Sequence, residues 1–172
     1  MELIETLLSD VQIIRSNSFY DDRGGFIKLF NKESTLFNNY KTEQINFVQN
    51  KKKGILRGLH YQIGEFSESK FFRVLKGSIQ LAFADLRINS QTKDKSGTYI
   101  LDTPEIAVLI PKGFATGYLT LKDNTEVLYC SDNIYHSSSE KGIRWNDPSF
   151  DFQWLDSNPE LSQKDKTWKD YN

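Results

Sequence analysis

The sequence predicts an all-β fold, an antiparallel sandwich or barrel with jelly-roll topology, and three observations carry that prediction. Short runs rich in branched and aromatic residues follow one another closely from residue 11 to residue 136. Gly, Pro, Asn and Asp punctuate them. No helical pattern long enough for a β–α–β crossover intervenes.

Taken in order, VQIIRSNSFYD (11–21) reads as a strand, DDRGG (21–25) as a turn, and FIKLF (26–30) alternates with period two. Residues 31–42 suit a helical turn or two, with Asn31 or Ser34 as cap and Leu36, Phe37 and Tyr40 on one face. Eight runs follow: INFVQ, ILRGLHYQ, KFFRVLKG, SIQLAFADLR, GTYILD, EIAVLIP, GYLTL and TEVLYCSDNIYH. The Lys-Gly pair at 76–77 and PKG at 111–113 suit tight turns, and LKDN (121–124) a hairpin connection. After Pro148 aromatics mix with charge, and Ser157 or Asn158 is placed to cap a short helix from Pro159. With no internal repeat, linker or low-complexity tract, residues 1–172 are expected to form one domain.

Composition narrows the function. The 172 residues hold 22 Lys plus Arg against 23 Asp plus Glu, a formal charge of −1, so no basic field awaits a nucleic-acid backbone. Cys130 is the only cysteine, which excludes an intrachain disulfide and a cysteine-built zinc site and fits a reducing cytoplasm. MELIETLLSD is acidic where a leader is basic, and no run approaches the ~20 apolar residues of a membrane span. A cytoplasmic chain without nucleic-acid or membrane partners is expected.

The chemistry-bearing residues are few. The two histidines are His60 and His136; with no His-x-His pair and no Cys cluster, only a two-His, one-carboxylate metal site stays open. His60 is a general-base candidate because imidazole titrates near neutrality, and equally a satisfied strand histidine. Strict alternation sends Arg57 and His60 to opposite faces, unless a bulge at Gly58 re-aims them. Lys70 and Arg73 stand in an otherwise apolar strand, explained by edge exposure or, for Lys70 with Arg57, by an anionic ligand or a developing enolate. Asp85 suits a buried structural hydrogen bond as well as chemistry. Tyr129 and Tyr135 are core or interface residues by type, and acids only beside a strong base. Arg23 is a phosphate clamp or a surface residue. GIRWNDP and the aromatic tail read as packing.

Seven stretches then occur in one order: FYDDRGGF, GILRGLHYQ, VLKGSIQLAFADLR, LIPKGFATGYLTL, TEVLYCSDNIYH, GIRWNDP and LSQKD. Together, over roughly residues 10–166, they resemble the dTDP-4-dehydrorhamnose 3,5-epimerase family. The resemblance implies an all-β, cupin-like jelly-roll β-sandwich with short peripheral helices, active without metal or organic cofactor. It also implies a homodimer exchanging N-terminal strands, acting on nucleotide-diphosphate 4-keto-6-deoxy sugars. It assigns His60 as base, Asp165 as its support, Tyr129 as acid, and Arg57 and Lys70 to the enolate oxygen. Gln44, Asn46, Arg23 and Lys164 match nucleotide and diphosphate contacts, Tyr135 a pocket wall, and Asp85 a buried residue near the base. Two positions depart from the pattern. Thr116 stands for a pocket histidine, and Lys28 for an acidic residue. Both bear on the substrate: epimerisation at carbons 3 and 5 of a dTDP-linked sugar is the main reading. The alternative is inversion at carbon 3 alone, or a GDP-linked, CDP-linked or longer-chain sugar.

Overall fold

The computed structural model describes residues 1–171. Its strands are β1 (Glu2–Leu7), β2 (Val11–Arg15), β3 (Ser18–Asp21), β4 (Gly24–Ile27), β5 (Gln44–Asn50), β6 (Ile55–Gln62) and β7 (Lys70–Lys76). They continue with β8 (Ile79–Asp85), β9 (Ser96–Leu101), β10 (Ile106–Ile110), β11 (Phe114–Thr120), β12 (Thr125–Ser131), β13 (Glu140–Gly142) and β14 (Glu160–Leu161). One sheet runs β1-β2-β10-β7-β12-β5 and the other β13-β6-β11-β8-β9, while β3 and β4 form a separate hairpin. Two antiparallel sheets fed alternately by the chain make the expected cupin-like jelly roll.

Three apolar layers explain why the central strands read as continuous buried runs. Between the sheets lie Ile13, Phe72, Val74, Leu81, Phe83, Val108, Tyr118 and Val127. Outside the second sheet, Leu59, Ala82, Ala84 and Ala115 are covered by Ile143, Phe150 and Phe152 from the tail. Outside the first sheet, Phe71, Ala107 and Cys130 are covered by Phe30, Phe37 and Tyr40. Every residue of β8 and of β11 is therefore buried. The aromatic tail packs, as its composition foretold.

Several local expectations are corrected. The 11–21 run breaks after Arg15, because β2 enters the sheet while β3 leaves it to pair with β4. Pairing of the 26–30 run ends at Ile27, after which Phe30 turns into the outer core. Residues 31–42 hold only a 3₁₀ turn at Thr35–Phe37, with Ser34 as cap residue but no side-chain cap bond. LKDN makes no hairpin: β11 and β12 belong to opposite sheets, so the segment crosses the sandwich. No helix starts at Pro159; Glu160 and Leu161 pair in parallel with Ile55 and Leu56 instead. The N-terminal residues, given no structure from sequence, form β1 against β2. Gly77 and Gly113, both at φ +87°, make the expected tight turns. No helix of the described residues is long and apolar enough to cross a membrane.

Candidate active site

Two recesses, of about 430 and 110 Å³, meet at His60, Lys70 and Tyr129. The larger is also lined by Arg57, Thr116, Tyr118, Lys164 and Asp165, the smaller by Gln44, Glu68, Tyr135 and Glu140. Both walls follow from strand register. In the first sheet Lys70 pairs with Ser131, which pairs with Gln44; Phe72 pairs with Tyr129, which pairs with Asn46. Cross-strand partners share a face, so these rows look toward the second sheet.

The awkward spacing of Arg57 and His60 is resolved by a bulge. Thr116 pairs with His60 and Tyr118 with Arg57, so two residues, Gly58 and Leu59, face the single Gly117. The extra residue brings Arg57 and His60 to one face, the cavity side. Gly58 has φ +120°, and a Cβ there would stand 2.5 Å from the Gly117 Cα. Only glycine fits that crossing. The Gly58–Leu59 peptide is cis.

His60 is oriented from behind. Its Nε2 lies 2.5 Å from Asp165 Oδ1. Asp165 Oδ2 accepts from Ser162 Oγ at 2.9 Å, and Oδ1 from Trp168 Nε1 at 3.3 Å. The Asp165 N–H returns to Ser162 Oγ at 3.0 Å, closing a small capping loop. Burial pushes the Asp165 carboxyl up, yet His60, Ser162 and Trp168 together hold it below the usual carboxylate range. Trp168 lies across Gly142, where a Cβ would meet its ring at 2.2 Å.

Lys70 and Arg57 give the site its cationic side. Lys70 Nζ sits 3.1 Å from Glu68, donates to Thr116 Oγ1 at 3.3 Å and to the His60 carbonyl at 3.4 Å. β7 is a central strand, so edge exposure is not the explanation: Lys70 and Arg73 are both buried. Arg57 Nε donates to Asn50 Oδ1 at 2.9 Å, and Arg57 lines the larger recess. Tyr129 enters from the opposite wall, stacked on Phe72 with ring centroids 5.2 Å apart. Burial, with Tyr118 and Glu68 nearby, raises its phenol to about 12 against the opposing pull of Arg57. It therefore stays protonated near neutral pH.

The remaining candidates are placed unevenly. Gln44 donates to Asn46 and accepts from the Tyr135 N–H. Tyr135 donates to Glu140 Oε2 at 2.6 Å, and Lys164 pairs with the same carboxylate. Burial pushes Glu140 up, but Lys164, Tyr135 and His60 hold it down. Arg23 and Lys28 lie outside this cavity, on and just beyond the β3–β4 hairpin, with the Arg23 side chain 89% exposed and paired to Asp21. Asp85 is buried but not beside the base: its oxygens are taken by Arg87, Ser90 and Thr92 at the end of β8. Sequence reasoning missed Glu68, Glu140, Asn50 and Trp168; of the supporting set only Ser162 had a signal, its three-residue spacing to Asp165. Among the described residues no three His, Cys, Asp or Glu side chains gather as a metal site.

A family model described as dTDP-4-dehydrorhamnose 3,5-epimerase matches residues 5–172. The chain belongs to the dTDP-4-dehydrorhamnose 3,5-epimerase family. It is 35% identical over 170 residues to the Shigella flexneri protein of that name, covering 96% of this chain and 93% of that one. A crystal structure of the Bacillus anthracis epimerase with TDP and PPi bound superposes with a TM-score of 0.95 at 34% identity, covering 99% of both chains. The Legionella pneumophila epimerase, in complex with dTDP-4-keto-L-rhamnose, gives 0.91 at 32% identity, covering 98% of this chain and 92% of that one. The matched range spans every strand that lines the cavity, the RGLHYQ stretch of β6 among them.

Proposed function

We propose that this chain is a cofactor-independent isomerase that inverts carbons 3 and 5 of a dTDP-linked 4-keto-6-deoxy sugar of the dTDP-4-dehydro-6-deoxyglucose type. The observation that carries the reading is one cavity with His60, backed by Asp165, on one wall and the protonated Tyr129 on the other. The 4-keto group acidifies the hydrogens on its two neighbouring carbons. His60 removes one through the ring nitrogen not engaged by Asp165. Charge moves to the keto oxygen, where Arg57 and Lys70 stabilise the enolate. Tyr129 returns a proton from the opposite side, which inverts the centre. The same groups serve the second carbon after the ring shifts. Gln44, Asn46 and Lys164 hold the nucleotide diphosphate, and Tyr135 and Thr116 bound the sugar.

Arg23 and Lys28 reach a substrate only in a homodimer that exchanges N-terminal strands. The β3–β4 hairpin exposes Phe19, Tyr20 and Phe26, and β5, an outer strand of its sheet, exposes Ile45 and Phe47. Apolar surface of this kind on an arm and on a sheet edge supports docking between two copies. A single-domain cytoplasmic enzyme is part of the same reading, and the lone buried thiol at Cys130 supports a reducing compartment.

The test is solvent exchange in deuterated water with dTDP-4-dehydro-6-deoxyglucose. Label at both carbons with inversion at both is expected. Label at carbon 3 alone makes the protein a single-carbon epimerase. No label with dTDP-, GDP- or CDP-linked sugars overturns the proposal.

A further inference from the structure

Arg73 stands mid-strand in β7 with its side chain on the outside of the sheet, away from the cavity, and it is 0% exposed. All its partners are neutral. Nη1 donates to the Pro104 carbonyl, and Nη2 to Ser16 Oγ at 2.9 Å and the Leu29 carbonyl at 3.0 Å. The Phe71 ring lies 5.4 Å from its guanidinium carbon, and Nε is buried without a partner. Among the described residues no carboxylate pairs with it; the ion pairs lie elsewhere. Burial lowers its pKa to about 10. Taking a lone charge out of water is expensive, and an apolar side chain of similar volume serves packing as well. The guanidinium must do something that packing does not.

What it does is join three chain segments. Ser16 lies just before β3 and Leu29 just after β4, so one donor nitrogen grips both roots of the hairpin. Pro104 begins the third segment, which holds the hairpin again: the Ser16 N–H donates to the Glu105 carbonyl at 2.8 Å, and Tyr20 Oη to Glu105 Oε1 at 2.7 Å. The Met1 amino group adds a tie at the same root, to Asn17 Oδ1, and the tip of the hairpin stands clear with Arg23 at its turn.

We propose that Arg73 is a positioning residue for substrate binding in the second copy of the chain: by clamping both roots of the hairpin it sets the direction in which Arg23 is carried to that copy's cavity. The inference rests on the exchanged homodimer proposed above. An arm held in its bound direction loses less freedom on docking, which is how a side chain outside the site reaches affinity.

Arg73→Met keeps the length and removes the donors, and Ser16→Ala removes one acceptor with little change of volume. Expected for Arg73→Met are retained cooperative unfolding, faster amide exchange over residues 17–28, KM raised about tenfold and kcat within about twofold. Ser16→Ala shifts KM and exchange the same way by less, and decides the matter if Arg73→Met fails to fold. Arg23→Gln in the otherwise native chain is the control. A monomeric native protein, or an unchanged KM in Arg23→Gln, overturns the exchanged-arm reading. A dimer in which Arg23→Gln raises KM while Arg73→Met, or Ser16→Ala in its place, leaves KM and exchange over 17–28 unchanged overturns the role of Arg73.

Discussion

His60 and Asp165 are 105 residues apart in sequence, and their side chains meet at 2.5 Å. The contact depends on the tail returning to β6: Glu160 and Leu161 pair with Ile55 and Leu56, and Asp165 follows one turn later. A carboxylate on Nε2 fixes the tautomer and stabilises the imidazolium that forms on proton abstraction. Asp165→Asn should lower kcat about a hundredfold or more, the scale of one general-base contribution. His60→Ala should abolish carbon-bound proton exchange. Its side chain is 30% exposed, so unfolding temperature should change less than for a buried leucine. Turnover surviving in His60→Ala would reject the base assignment. Because the Asp165 pKa is depressed in the fold, its stabilisation is present above the unfolded carboxylate pKa and is lost as pH falls through the folded one.

Tyr129 separates proton removal from proton return. Burial raises the phenol to about 12, so it holds its proton at neutral pH and delivers it only to a strongly basic enolate. Tyr129→Phe keeps the ring stacked on Phe72 and removes only that proton. Solvent deuterium should still enter the sugar through His60 on the face from which the proton left. Inverted product should fall by roughly 10²–10⁴-fold. Chiral analysis of the labelled sugar reads the two apart, and native-level inversion would remove Tyr129 from the mechanism.

Branched and aromatic runs cut by turn residues, with no helical pattern between them, led to the two-sheet architecture, because strands buried on both faces write continuous apolar runs into sequence. Which sheet each strand joins was not legible: LKDN resembles a hairpin loop whether it reverses or crosses the sandwich. In GILRGLHYQ alternation placed Arg57 and His60 apart, and Gly58 hinted at the remedy. The remedy also needs Gly117 on the facing strand, a pairing no local pattern contains. Glu68 and Glu140 lie in SESK and SSSEK, which read as ordinary solvated surface until folding sets them beside Lys70 and Lys164. Asp85 matched a family position yet serves its own loop, since Arg87, Ser90 and Thr92 satisfy it locally.

Thr116 changes what surrounds Lys70. Its hydroxyl accepts from Nζ at 3.3 Å and itself donates to the His60 carbonyl at 3.4 Å, joining the cation to the strand that carries the base. Thr116→Val is nearly isosteric and removes both contacts. Losing one hydrogen bond of this kind is worth about 1 kcal/mol, so kcat/KM should fall about fivefold. The loss should appear in kcat if Lys70 stabilises the enolate and in KM if it only binds ground-state substrate. Steady-state kinetics distinguishes these, and unchanged constants would show that Thr116 does not position Lys70.

Asp85 makes the last prediction, one of stability and not of activity. Its buried carboxylate accepts from Arg87 Nε and Nη2 at 2.8 Å each, Ser90 Oγ at 2.5 Å and Thr92 Oγ1 at 2.7 Å. Burial pushes its pKa up, but the Arg87 guanidinium and the two hydroxyls outweigh it and hold the group at about 2. The folded pKa lies below the unfolded one, so the stabilisation is complete above pH ~4 and disappears as pH falls toward ~2. From the size of the shift it amounts to about 2 kcal/mol. Asp85→Asn should lose that much or more at pH 7, seen as an earlier urea midpoint with unchanged slope. The gap to the native protein should close between pH 4 and 2. The residue does not line the cavity, so kcat at 25 °C should stay within about twofold of native. A gap independent of pH would mean that packing around residue 85, and not its charge, holds the loop.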